Sequence, residues 1–342
     1  MQYKLLGKSG LRVSELCLGT MTFGEDWGWG ASKDASRTIL NVYAEAGGNF
    51  IDTSCNYTNG TSEKFVGEFV APDRDHFVVA TKYSLIERKD DPNFGGNHRK
   101  NMLRSLEGSL KRLNTDYIDL FYLHMWDFTT PVEEVMRGLD DLVRSGKVLY
   151  VGLSDAPAWI AAQANTLADL RGRSRFVALQ APYSLADRAV ERDLLPVAHA
   201  FDMAFLAWGL LEAGELTGKY NTGSPEPKRN QSISPKNRQL ADVLMALANE
   251  IGRTPSQVAI NWVRQQAAAH RAPIIPILGA RREAHIRDNL GCLEFTLTDE
   301  QLQRLSAASP IDLGFPHSFL ADDFVKSLIF GETYRQIDNH RR

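Results

Sequence analysis

Four side chains able to hold or move a proton stand at, or just beyond, the ends of apolar, strand-like runs. Asp52 follows NFI, Tyr57 lies five residues further on, Lys82 closes VVATK and His124 closes LFYLH. A free phenol has a pKa near ~10 and needs a nearby cation to give up its proton readily. Lys82 can supply that cation, and Asp52 can pair with it so that the ammonium stays charged and oriented in a partly buried site. His124 can hydrogen-bond a carbonyl oxygen or relay the proton. The group suits general acid catalysis at a carbonyl, with hydride arriving from a bound cofactor. Taken singly, each residue has a commoner explanation as a turn aspartate, a surface lysine or a satisfied core histidine. Four of them at strand ends shift the balance towards chemistry.

The usual nucleotide fingerprints are missing. No GxGxxG follows a strand, there is no GxxxxGK[ST] and no YxxxK, and Gly28-Trp29-Gly30 lacks its third glycine because position 33 is Lys33. A barrel can instead hold phosphate in the loops after its seventh and eighth strands. Those loops here are 208–220 and 279–289, carrying Lys219, Arg281 and Arg282. The arginine fork fits a phosphate bidentately, and a helix starting near Arg281 adds its dipole. For so short a cluster alone, solvated surface arginines would be the better reading.

The elements that must position these residues recur about every thirty positions. Apolar runs at 16–18, 49–51, 77–80, 118–122, 148–153, 176–179, 203–207 and 274–277 alternate with helically spaced segments such as 35–46, 102–113, 132–143 and 190–200. Eight strand-plus-helix units predict an α/β fold, a (β/α)8 TIM barrel, with an N-terminal hairpin and an extended C-terminal tail. A doubly wound open sheet is the runner-up. Thr130-Pro131 with Glu133 and Glu134, and Thr254-Pro255, read as helix starts. Segments 87–100 and 209–236 read as long loops. No linker interrupts the chain, so 1–342 is expected to be a single domain, with a core of about 11–308 and a tail, 309–342, able to cover a mouth of the barrel.

Composition narrows the partners. With 342 residues, 43% hydrophobic, 24% charged and a net charge of -3, the chain has no basic field for nucleic acid or an acidic membrane. A small neutral ligand fits better, and a homo-oligomer is left open. The start, MQYKLLGKSG, has no signal-like pattern, so a cytoplasmic location is expected. Cys17, Cys55 and Cys292 cannot all pair; Cys17 and Cys292 read as small buried hydrophobes. Phe23, Trp27, Trp29, Phe94 and Trp126 are aromatic residues of loops at the active end and are the candidate substrate walls.

The residues resemble the aldo-keto reductase family from LRVSELCLGTMTFG (11–24) to NLGCLEFTLTDEQL (289–302). Between these lie NFIDTSCNY, SEKFVGEF, DLFYLHMWD, GKVLYVGLSDAPAW, QAPYSLADR, LTGKY and PILGARR, in order. PNFGGNHRKNM, SDAPAW and ERDLLPVA are similar to the aryl-alcohol dehydrogenase branch. The resemblance implies an NADPH-dependent barrel acting on a carbonyl or alcohol, with Tyr57 as proton donor, Lys82 and Asp52 tuning it and His124 orienting the carbonyl. It implies that Gly19, Thr20 and Met21 lie near the nicotinamide, that Ser154, Asp155 and Gln180 approach its carboxamide, and that Trp208 stacks on its ring. Gly209, Leu210, Leu211 and Lys219 match the loop over the diphosphate, and Gly279, Arg281, His285 and Asn289 the adenosine-phosphate end. Four positions depart from the common pattern: Gly209-Leu210 replaces a Ser-Pro pair, Asp155 stands where many members have Asn, and His285 where many have Gln. A second class of protein, a nicotinamide-binding regulatory subunit with weak activity, shares the resemblance. A metal-dependent barrel hydrolase lacks a clear ligand cluster at the strand ends.

Overall fold

Runs such as Val78–Tyr83 and Ile118–Leu123 are buried on both faces along their whole length, which is what strands need when helices cover a sheet closed on itself. The computed structural model describes residues 1–223 and 230–338. Its strands are β1 (Tyr3–Leu5), β2 (Arg12–Ser14), β3 (Cys17–Gly19), β4 (Phe50–Asp52), β5 (Val78–Tyr83), β6 (Ile118–Leu123), β7 (Val148–Ser154), β8 (Phe176–Pro182), β9 (Ala204–Trp208) and β10 (Ile274–Gly279). Strands β3 to β10 are parallel, and β10 pairs with β3 to close the barrel, which sets the open-sheet alternative aside. The eight expected runs fall on these eight strands. Successive side chains alternate sides: Leu120 and Tyr122 of β6 point into the barrel with Cys17, Phe50 and Leu206, while Phe121 and Leu123 join the shell under the helices.

The antiparallel β1–β2 hairpin crosses the end of the barrel where strands begin. Lys4 Nζ donates to the Ile274 carbonyl at 2.7 Å, and the Lys8 amide to that of Asp202 at 2.6 Å. Gly7, at φ 52°, is needed there, because a Cβ would sit 2.2 Å from the Val177 carbonyl oxygen. With that end sealed, the loops that follow the strands face the other way.

Helix starts follow the expected chemistry. Thr254 and Gln257 form a capping box around Pro255, and Glu133 and Glu134 occupy the first turn of Val132–Arg144 behind Pro131. The expected helix over 190–200 is broken into a 3-10 turn, Ala189–Glu191, and a short helix, Leu194–Ala200. Pro196 explains the break, since its ring clashes with the carbonyl four residues earlier. Segment 87–98 is a loop, whereas 209–236 contains a 3-10 turn, Glu212–Thr217, and the start of helix Pro235–Ile251. Residues 224–229 of that expected loop lie outside the described residues. The tail holds two short helices, His317–Ala321 and Asp323–Phe330, and is tied beside the segment after β8. Arg188 donates to the carbonyls of Ser306 and Ser309, and Arg192 to those of Asp312 and Leu313. Among the described residues no helix is long and apolar enough to cross a membrane.

Candidate active site

Strands β4, β5 and β6 are neighbours, so their parallel pairing brings Asp52, Lys82 and His124 to one end of the barrel. Tyr57 comes back over that end in a tight turn. Thr58 (φ 44°), Asn59 (φ 54°) and Gly60 (φ 89°) are consecutive left-handed residues, and the two without a glycine's freedom need outside support. Thr58 Oγ1 supplies it by donating to the Phe23 carbonyl at 2.6 Å, and Trp27 Nε1 donates to Asn59 Oδ1 at 3.3 Å.

Lys82 is fully buried, and its ammonium has three hydrogens facing three acceptors: Asp52 Oδ2 at 2.6 Å, the Thr53 carbonyl at 2.9 Å and the Tyr57 phenol oxygen at 3.1 Å. The phenol therefore accepts from the lysine, and its own hydrogen is left for a group entering from the mouth. Burial opposes a charge on Lys82, but Asp52 and Tyr57 outweigh it and hold the ammonium above the ordinary lysine range. Asp52 receives a second hydrogen bond, from Gln180 Nε2 at 2.9 Å.

Tyr57 differs from the simple expectation that the cation brings its pKa down. Burial pushes the phenol up, the pull of Lys82 does not overcome it, and the Asp52 charge adds to the rise. The outcome is a phenol that keeps its proton through neutral pH. Burial, reinforced by the Lys82 charge, pushes His124 well below the usual imidazole range, so the ring is neutral at pH 7. Its Nδ1 lies 3.2 Å from Ser54 Oγ, which also donates to Asn56 Oδ1 at 2.8 Å. Ser54, Asn56 and the bracing role of Gln180 were not legible in the sequence. Their placement in the Asp52–Tyr57 loop was the one available signal for the first two.

The residues expected to meet a cofactor lie along the same rim. Ser154 Oγ is buried and has no hydrogen-bond partner among the described residues, an orphan at the carboxyl end of β7 that a carboxamide would satisfy. Asp155 sits at φ 34°, and burial pushes its carboxyl up, against the pull of the Lys82 charge. Trp208 is 41% exposed at the end of β9, a large aromatic left open to a ligand. Gly279 opens on empty space, and Asn289 Nδ2 reaches its carbonyl at 3.3 Å. Arg281 and Arg282 flank the start of helix Glu283–Leu290, within which His285 lies, and enter no ion pair among the described residues. The Lys219 amine folds back over Gly214, while Leu210 is buried and Gly209 turns at φ 77°. Gly19 is pressed against Ile277, Met21 is half-buried, and Thr20 spends its hydroxyl on the Asp52 carbonyl at 2.9 Å and on Ser62. The donor set fits a nicotinamide dinucleotide.

The substrate walls are placed less uniformly. Trp27 and Trp29 pack on each other with ring centres 5.6 Å apart, both half-buried, and Trp126 donates its backbone amide to the Asp155 carbonyl at 3.3 Å. Phe23 is a correction: its ring is fully buried against Phe69, because its backbone turns under the Tyr57 loop and points the side chain into the core. The Phe94 ring is held between Arg88 and Arg104, at 5.4 and 4.2 Å from their guanidinium carbons. All three cysteines are free and buried.

A closed parallel barrel with a Tyr–Lys–Asp–His group at the carboxyl ends of its strands defines a class of oxidoreductase. The aldo/keto reductase family model matches residues 15–310, and the chain belongs to that family. It is 38% identical to a norsolorinic acid reductase of Aspergillus flavus over 97% of this chain and 87% of the relative. It is 37% identical to an NADP(+) aryl-alcohol dehydrogenase of Phanerodontia chrysosporium, covering 92% and 87%, and 35% identical to an aldo-keto reductase of Aspergillus calidoustus, covering 94% and 85%.

Proposed function

We propose that the protein is an NADPH-dependent reductase of aldehyde or ketone carbonyls, reversibly oxidising alcohols, with aromatic or bulky apolar substrates. The observation that carries this is the Lys82 ammonium, whose third hydrogen goes to the phenol oxygen of Tyr57 and leaves the phenol's own proton for a substrate carbonyl. For His124 to donate from Nε2 to the same oxygen, its neutral ring must carry the hydrogen there, with Ser54 Oγ turned from Asn56 to donate to Nδ1. NADPH, when bound, supplies the hydride. Ser154 and Asp155 would hold its carboxamide and Trp208 its ring. Gly209, Leu210, Leu211 and Lys219 would cover the diphosphate, and Gly279, Arg281, His285 and Asn289 would hold the adenosine phosphate. Gln180 acts one step back, steadying Asp52. Trp27, Trp29 and Trp126 would form an aromatic wall, and the names of the relatives, aryl-alcohol dehydrogenase among them, favour substrates of that kind.

The direct test is loss of nicotinamide absorbance when the protein meets NADPH and a panel of aromatic and aliphatic carbonyls, with NADH in parallel. Consumption of NADPH supports the proposal; tight binding without turnover on the whole panel counts against it. Arg281→Leu should raise KM for NADPH by roughly 10–100-fold, the worth of a charge-assisted hydrogen bond, and leave KM for NADH nearly unchanged. Equal losses with both cofactors would remove Arg281 from phosphate recognition.

The pH profile follows from the two shifted groups. Tyr57 is raised, so its proton is present through neutral pH and is lost only above the ordinary phenol range; His124 is lowered, so it does not change charge near ~6.5. Reductive kcat/KM is therefore expected to be flat across neutral pH and to fall only on the alkaline side. An inflection near neutrality would assign the acid to another group.

A further inference from the structure

The tail carries an apolar surface that the described residues leave bare. Phe315, Phe319, Phe324, Leu328, Ile329 and Phe330 are exposed by between 49% (Phe330) and 83% (Phe315), while Val325 between them is buried. Helices His317–Ala321 and Asp323–Phe330 and the turn Gly331–Gln336 pack chiefly on one another. Both the inner and the outer face of Asp323–Phe330 are thus apolar, a pattern found in helices that are covered on all sides. The exposed part of the six side chains is on the order of 800 Å2, about what each partner contributes to a stable interface and more than monomers ordinarily leave open.

The base of the tail sets what that surface can meet. His317 Nε2 lies 3.1 Å from Asp193 Oδ1, and Asp193 also borders a groove of about 560 Å3 lined by Trp159, Pro182, Val190 and Leu194. Trp159 is 59% exposed. Apolar strip and apolar groove therefore share one face of the molecule, as an interface closed by a two-fold axis requires. An anionic lipid surface or nucleic acid fits poorly, because the tail, 309–342, has no excess of positive charge: Asp312, Asp322, Asp323, Glu332 and Asp338 stand against Lys326, Arg335, Arg341 and Arg342.

We propose that this face binds a second copy of the chain, the tail strip of each copy seating against the Trp159 groove of the other. The test is the solution mass of the full chain by light scattering at micromolar concentration. The wild type is expected to have twice the mass of one chain. Phe324→Asp combined with Leu328→Asp, and separately Trp159→Asp, should each halve it, with a cooperative thermal transition retained because all three positions are exposed. A monomeric wild type overturns the proposal, including one that captures a different protein. A dimer that survives either variant overturns it as well, by placing the interface elsewhere.

Discussion

Tyr57→Phe is expected to bind NADPH as the wild type does and to lose reductive turnover by roughly 10²–10⁴-fold, the usual worth of a positioned general acid. The replacement keeps the ring, and with it the packing of the phenyl face 4.7 Å from Lys82 Nζ and edge-on to His124. What it removes is one oxygen, which accepts from Lys82 and, in the proposed reaction, carries the proton for the substrate. Ser154, Trp208 and the phosphate loops lie on other strands and are untouched. The measurement is single-turnover reduction with cofactor affinity determined by titration of the same sample. A variant retaining more than a small fraction of wild-type turnover would move the acid to another residue.

Lys82→Met should be costly in a different way. Lys82 and Asp52 form a buried pair at 2.6 Å, with side chains 0% and 4% exposed. Removing one partner of such a pair leaves the other charge uncompensated and typically destabilises by about 3–5 kcal/mol, whereas replacing both can be nearly neutral. The single variant is therefore expected to unfold at much lower denaturant, and Lys82→Met with Asp52→Asn to recover most of that loss. Turnover should not recover in the double variant, because the cation that holds the phenol oxygen is absent in both. Denaturant melts combined with turnover assays separate the two effects. Recovery of turnover together with stability would show that the lysine only props up the fold.

How much of this was readable beforehand varies with distance along the chain. The eight strands were visible because a buried strand is a short, continuous apolar run, a local signal. The four proton-active residues were visible for the same reason, since each closes such a run or follows it within a few residues. The break at Ala189–Glu191 was missed although Pro196 was in plain view, because the periodicity of the apolar residues continues across it. Phe23 was misplaced because an aromatic in a loop has the same spelling whether its ring faces the mouth or Phe69.

The amino-acid sequence by itself determined the barrel and set four proton-active residues at or just beyond the ends of its strands, all through patterns a few residues long. Only the tertiary structure decided how those residues are used. Gln180 steadies Asp52 from 128 positions away, and the third hydrogen of Lys82 goes to Tyr57. The phenol is raised and not lowered because desolvation, a property of everything packed around it, outweighs the neighbouring cation. Hydrogen-bond direction and burial are sums over partners that the fold brings together, so no short stretch of chain contains them.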